Sequence, residues 1–73
     1  MTHEVHAELV ANVLRVIVKA GDTVAEGDTL VLLESMKMEI PVPAEIAGTV
    51  TEVAVNEGDV VTEGDLIASI TKT

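Results

Sequence analysis

Sliding the chain along itself by 37 positions lays "VIVKAGDTVAEGDTL" (16–30) over "VAVNEGDVVTEGDLI" (53–67). This internal repeat restricts the fold more than any other feature. Val16/Val53, Val18/Val55, Gly21/Gly58, Asp22/Asp59, Val24/Val61, Glu26/Glu63, Gly27/Gly64 and Asp28/Asp65 coincide, and Val5/Val42, Ala7/Ala44, Glu8/Glu45 and Val13/Val50 carry the register upstream. Two halves of one design are expected to form the same strand-and-turn unit twice, related by a pseudo-two-fold axis.

The unit is β. "VLRVIV" (13–18) and "TVTEVAV" (49–55) alternate in part between apolar and polar residues, the period of a half-buried strand. Each runs into a Gly-Asp pair, where Gly takes positive φ without steric cost and Asp can bond its own backbone. A second "EGD" turn follows in both halves, and "TLVLLE" (29–34) and "LIASIT" (66–71) read as closing strands. No segment sets apolar residues at helical spacing over two or more turns. Short strands at regular spacing predict an all-β sandwich or flattened barrel, with residues 1–73 as one domain.

Composition sets further bounds. With no Cys, Phe, Tyr or Trp, the core must come from Val, Ile, Leu, Ala and Met. Thirteen acidic residues against four basic ones give a formal charge of -9. That balance opposes nucleic-acid binding, which needs clustered Lys and Arg to displace counterions, and opposes anionic membranes for the same reason. "MTHEVHAE" lacks the cationic and apolar regions of a signal peptide, and "LVLL" is too short to span a bilayer. With no thiols to oxidise, the chain fits a reducing compartment, and a cytoplasmic location is expected.

One basic residue stands out. Lys37 lies in "LLESMKMEIPVP" (32–43), between Met36 and Met38 and flanked by Glu34 and Glu39; it is the only basic residue between Lys19 and Lys72. The shift carries position 37 to the gap between the chain's own ends, so Lys37 marks the junction of the halves. The termini should gather at one end of the domain and the Lys37 loop at the other. A short link between antiparallel strands is a hairpin. Neither Met36 nor Lys37 is Gly or Asn, so a two-residue primed turn would place both at strained positive φ. Soft, adaptable methionines suit a surface that a partner grips.

Catalytic readings are weaker. His3, Glu4, His6 and Glu8 cluster in sequence, but "HEVH" has the wrong spacing for a zinc pair and no third ligand is evident. The "GDTVAEGD" and "GDVVTEGD" stretches lack the alternating ligands and terminal Glu of a calcium loop. Ser35 and Ser69 have no neighbouring histidine and no nucleophile-elbow motif.

From about Val5 to Ile70 the chain resembles the biotinyl domain of biotin carboxyl carrier proteins, in the biotin/lipoyl attachment family. The most specific part is Met36-Lys37-Met38 with Glu34 three residues before the lysine; "AGTV" and the "EGDxVxEGD" pattern support it. The resemblance implies a flattened barrel of two four-stranded antiparallel sheets with quasi-two-fold symmetry. It implies biotin amide-linked to Lys37, with Met36, Met38 and Glu34 recognised by the loading enzyme. Biotin protein ligase would activate biotin as an acyl adenylate and accept the lysine's proton. The loaded arm would then receive a carboxyl group in a biotin carboxylase and deliver it in a carboxyltransferase. Ser35 departs from the Ala or Val usual before the motif, but keeps a small side chain. The halves align without a gap, so no protruding thumb segment is expected. Related lipoyl domains carry Asp-Lys-Ala at the tip, so Met36 and Met38 favour biotin over a lipoyl-type acyl carrier, and the intact motif opposes an unmodified interaction module. A monomeric carrier without catalytic activity follows, and the initial Met and compact ends suggest a free-standing one.

Overall fold

The computed structural model describes residues 2–72. Eight strands follow one another: β1 (Thr2–His6), β2 (Ala11–Val16), β3 (Thr23–Val24), β4 (Thr29–Ser35), β5 (Met38–Pro43), β6 (Gly48–Val53), β7 (Val60–Val61) and β8 (Leu66–Lys72). They form two four-stranded antiparallel sheets, ordered β1-β8-β6-β3 and β5-β4-β2-β7. Adding the repeat shift converts one order into the other. Each sheet takes its two central strands from one half of the chain and its two edge strands from the other.

Strands β2, β4, β5, β6 and β8 fall where the sequence pattern places them; β1 and the two-residue β3 and β7 are not expected from it. The expected strand at 13–18 runs instead from Ala11 to Val16, and that at 49–55 from Gly48 to Val53. Both begin earlier because a two-residue edge strand pairs with their first residues: Ala11 faces Val61, and Gly48 faces Val24. β3 and β7 lie inside what reads as continuous turn sequence, and so escape notice.

Four copies of one turn hold the strands in place. In the first, Asp22 N–H donates to the Lys19 carbonyl (3.0 Å), the Asp22 carboxylate accepts from Lys19 N–H (3.0 Å), and Gly21 between them has φ 99°. This is a type II geometry, which requires positive φ at its third residue. Asp28, Asp59 and Asp65 close the other three in the same way, at 2.9, 2.8 and 2.9 Å from carboxylate to amide. Each turn is pinned to the opposite half: Gly21 N–H donates to the Val50 carbonyl and Gly58 N–H to the Val13 carbonyl, at 2.7 and 2.8 Å. Gly27 and Gly64 reach Ala44 and Ala7 equivalently, at 2.8 and 2.9 Å. The halves are therefore interlocked rather than stacked. These four aspartates serve as backbone clamps.

The core lies between the sheets. Leu30, Val31, Leu33, Val50, Ile67, Ala68 and Ile70 are fully buried, with Val13, Val61 and others close behind. Aliphatic side chains of this size contribute about 1.5–3 kcal/mol each on full burial. Gly48 is required by a close approach: an added Cβ would stand 2.2 Å from the Thr71 carbonyl oxygen and 2.9 Å from its carbon.

Candidate functional site

Strands β4 and β5 are consecutive neighbours, in register from Leu32↔Pro41 to Ser35↔Met38, so the connection is Met36 and Lys37 alone. Both adopt the left-handed conformation, φ 53° at Met36 and 66° at Lys37. Two positive φ angles in a two-residue link define the primed turn whose twist matches the strands. Residues with a Cβ adopt it at a cost of about 1–2 kcal/mol each, a strain tolerated mainly at functional positions. The strain expected from sequence is thus present at both residues.

The tip is presented to solvent. Lys37 is exposed, Met36 is 91% exposed and Met38 63%. Among the described residues Lys37 forms no ion pair. Glu34, half-buried, stands directly opposite Glu39 across the hairpin. Like charges at directly opposed positions are destabilising. At the equivalent place in the other sheet, Thr2 faces Thr71.

The tip's place in the molecule follows from the pairing. The open end of the hairpin is closed by Ala44, whose amide donates to Asp28 and whose carbonyl accepts from Gly27. A short loop leads from Ala44 to Gly48, which pairs with Lys72, while Thr2 pairs with Thr71. Both described chain ends therefore lie at the end of the domain away from Lys37, along a long axis of 35 Å. Residues 1 and 73 themselves lie outside the described residues.

The other sequence candidates go elsewhere. His3 bonds Glu45, and the His6 ring lies between the Gly64 carbonyl (Nδ1, 3.0 Å) and the Glu4 carboxylate (Nε2, 3.2 Å). Among the described residues no group of three or more His, Asp or Glu is arranged to hold a metal ion. Ser69 is buried in β8 and Ser35 begins the turn, on separate sheets. Among the described residues no helix is long and apolar enough to cross a membrane. Sequence reading missed the exposed aliphatic residues Val10, Leu14 and Val60, because a lone Val or Leu in a strand carries no mark of which face it occupies.

Fold and tip together define a presenting scaffold: two rigid sheets that raise one amine on a strained turn between two thioethers. Residues 4–70 match the Biotin_lipoyl family model, described as "Biotin-requiring enzyme", and the chain belongs to that family. Over 42 residues it is 69% identical to the Biotinylated protein TB7.3 homolog of Mycolicibacterium smegmatis, covering 58% of this chain and 59% of that one. The match thus spans little more than half of that relative's length. Among solved structures, a part of the Kluyveromyces lactis urea carboxylase superposes with a TM-score of 0.91 at 31% identity, covering 97% of this chain and 6% of that one. A part of a single-chain, multi-domain long-chain acyl-CoA carboxylase does so with a TM-score of 0.90 at 33% identity, covering 99% and 7%.

Proposed function

We propose that this chain is a biotin carboxyl carrier in which the Lys37 amine is the attachment point. The observation that carries the reading is the exposed lysine on a two-residue left-handed turn, between exposed Met36 and Met38, in a chain of the biotin/lipoyl family. The residues present fit the group. Attachment needs a primary amine that an enzyme can enclose from all sides, and the tip offers one free of ion pairs among the described residues.

Loading forms an amide between the Lys37 nitrogen and the carboxyl carbon of biotin. The bond from that carbon to the adenylate breaks, AMP leaves, and the amine's proton passes to the ligase. Met36 and Met38 supply flexible apolar contacts on either side of the amine, and Glu34 adds an anionic contact for the same enzyme. Attached biotin supplies a ureido nitrogen that takes up a carboxyl group at one enzyme and yields it at another. The sheets keep the attachment point at one extremity of the domain, so the arm can enter a partner's site without the body following it. Tethering raises the effective concentration of the reactive ring at each site, and the chain itself catalyses neither loading nor transfer. The partners are biotin protein ligase, a biotin carboxylase and a carboxyltransferase; similarity to carboxylase segments supports this. The whole chain, residues 1–73, acts as one attachment domain, a monomer by itself and cytoplasmic.

Intact mass after incubation with biotin, ATP and biotin protein ligase tests the attachment. One biotinyl group on the wild-type chain and none on Lys37→Arg is the expected result. A lipoyl adduct on protein isolated from cells, or biotin retained by Lys37→Arg, would overturn it.

A further inference from the structure

The repeat allows the outer faces of the two sheets to be compared position by position. On the β1-β8-β6-β3 sheet, one row crosses all four strands as Thr2, Thr71, Thr49 and Thr23, each in register with the next. The next row pairs Glu52, Ser69 and Glu4, with the bulge residue Thr51 beside Glu52. On the sheet that carries Lys37, the equivalent row is Glu39, Glu34, Asn12 and Val60, and the next pairs Arg15, Leu32 and Pro41, with the bulge residue Leu14 beside Arg15. Even the bulge is conserved between the halves, at Leu14 in β2 and Thr51 in β6. Backbone geometry is thus shared while chemistry is not: hydroxyls with Glu4 and Glu52 cover one face, aliphatic groups with Arg15 and the opposed Glu34 and Glu39 the other. Val60 is 65% exposed and Leu14 41%. Folding does not demand these side chains, because the same positions in the other half are filled by Thr. Arg15, beside Leu32, replaces Glu52 and adds a residue type enriched in interface hot spots.

A two-residue tip is too small for specific recognition, since a stable protein complex covers about 800 Å² on each partner. An enzyme acting on Lys37 must extend its footprint past the turn, and the β5-β4-β2-β7 sheet is the surface continuous with it. Glu34 and Glu39, opposed across the hairpin, lie between the tip and Leu32 and Pro41, and share their row with Val60. Basic side chains meeting them would convert a repulsion within this chain into an attraction between partners.

We infer that the outer face of this sheet, with Leu14, Leu32, Pro41 and Val60 bordered by Glu34 and Glu39, is the docking surface for the ligase that acylates Lys37. The ligase meets it with an apolar surface edged by basic residues. The inference rests on the carrier reading above.

The repeat supplies substitutions suited to these backbone positions: Leu14→Thr and Val60→Thr copy Thr51 and Thr23. Steady-state loading by biotin protein ligase, with biotin and ATP saturating, is measured for wild type, this double variant, and a control carrying Thr23→Val and Thr51→Leu. The double variant is expected to raise the KM for the carrier about tenfold, equivalent to about 1.4 kcal/mol, with kcat within twofold and the far-UV circular dichroism spectrum retained. The control is expected to load like wild type. Unchanged KM in the double variant, or an equal rise in the control, overturns the inference. So does normal loading with slowed carboxyl transfer, which would assign the face to another partner. A wild-type dimer in sedimentation that the double variant disperses would assign it to a second copy and overturn it too. A wild-type chain that takes no biotin defeats the carrier reading itself, a result separate from these.

Discussion

The strain at the tip can be removed without touching either sheet. Met36→Asn with Lys37→Gly installs the pair that a primed two-residue turn prefers, at φ values the wild type already holds, 53° and 66°. A side-chain-bearing residue in the left-handed region loses about 1–2 kcal/mol, so the two positions together store about 2–4 kcal/mol. Glycine returns about 0.5–1 kcal/mol of this as lost chain entropy, and asparagine keeps part of the steric term, leaving a net gain of about 1–2 kcal/mol. For a domain of this size each kcal/mol moves the midpoint by about 4–8 °C, so Tm is expected to rise by about 4–16 °C. The chain has no aromatic residue, so unfolding is followed by far-UV circular dichroism or calorimetry. The same variant is expected to accept no biotin. An unchanged or lowered Tm would refute the claim that the turn stores strain for the sake of the amine.

Three further outcomes are expected. Gly48→Ala forces a Cβ to within 2.2 Å of the Thr71 carbonyl oxygen, in backbone that cannot retreat without breaking the β6–β8 pairing. A loss of about 1–3 kcal/mol in urea denaturation is expected, whereas Ala11, its repeat counterpart, already carries a Cβ. Asp22→Ala and Asp59→Ala each remove the carboxylate clamp of an equivalent turn, and should cost about 0.5–1.5 kcal/mol apiece, equal within error. Hydrogen peroxide is expected to convert Met36 and Met38 to sulfoxides while circular dichroism stays native, because both stand outside the core; peptide mass mapping checks this.

Much of this was legible in the sequence because the repeat and the turns act through local chemistry. Gly21-Asp22 and its three copies mark turns with glycine at positive φ by residue identity alone, and the structure contains all four. The alternation in 13–18 and 49–55 located two central strands but not their ends, which are fixed by partners distant in sequence such as Val61 and Val24. The two-residue strands β3 and β7 are too short to show a period. Lys37 could be placed at the junction, and its positive φ anticipated, since a two-residue link without Gly or Asn leaves few conformations. The opposition of Glu34 to Glu39 depends on register. The contrast between a threonine face and an aliphatic one emerges only when the two sheets are compared strand by strand.

Transfer of label from radioactive bicarbonate tests the central claim most directly. The loaded chain is incubated with a biotin carboxylase, ATP and labelled bicarbonate, then separated by size under mildly alkaline conditions. About one equivalent of acid-labile label should travel with the wild-type chain, and none with Lys37→Arg carried through the same steps. Label absent from a chain shown by mass to be loaded, or present on the arginine variant, would contradict the assignment of Lys37 as the point from which the carboxyl group is carried.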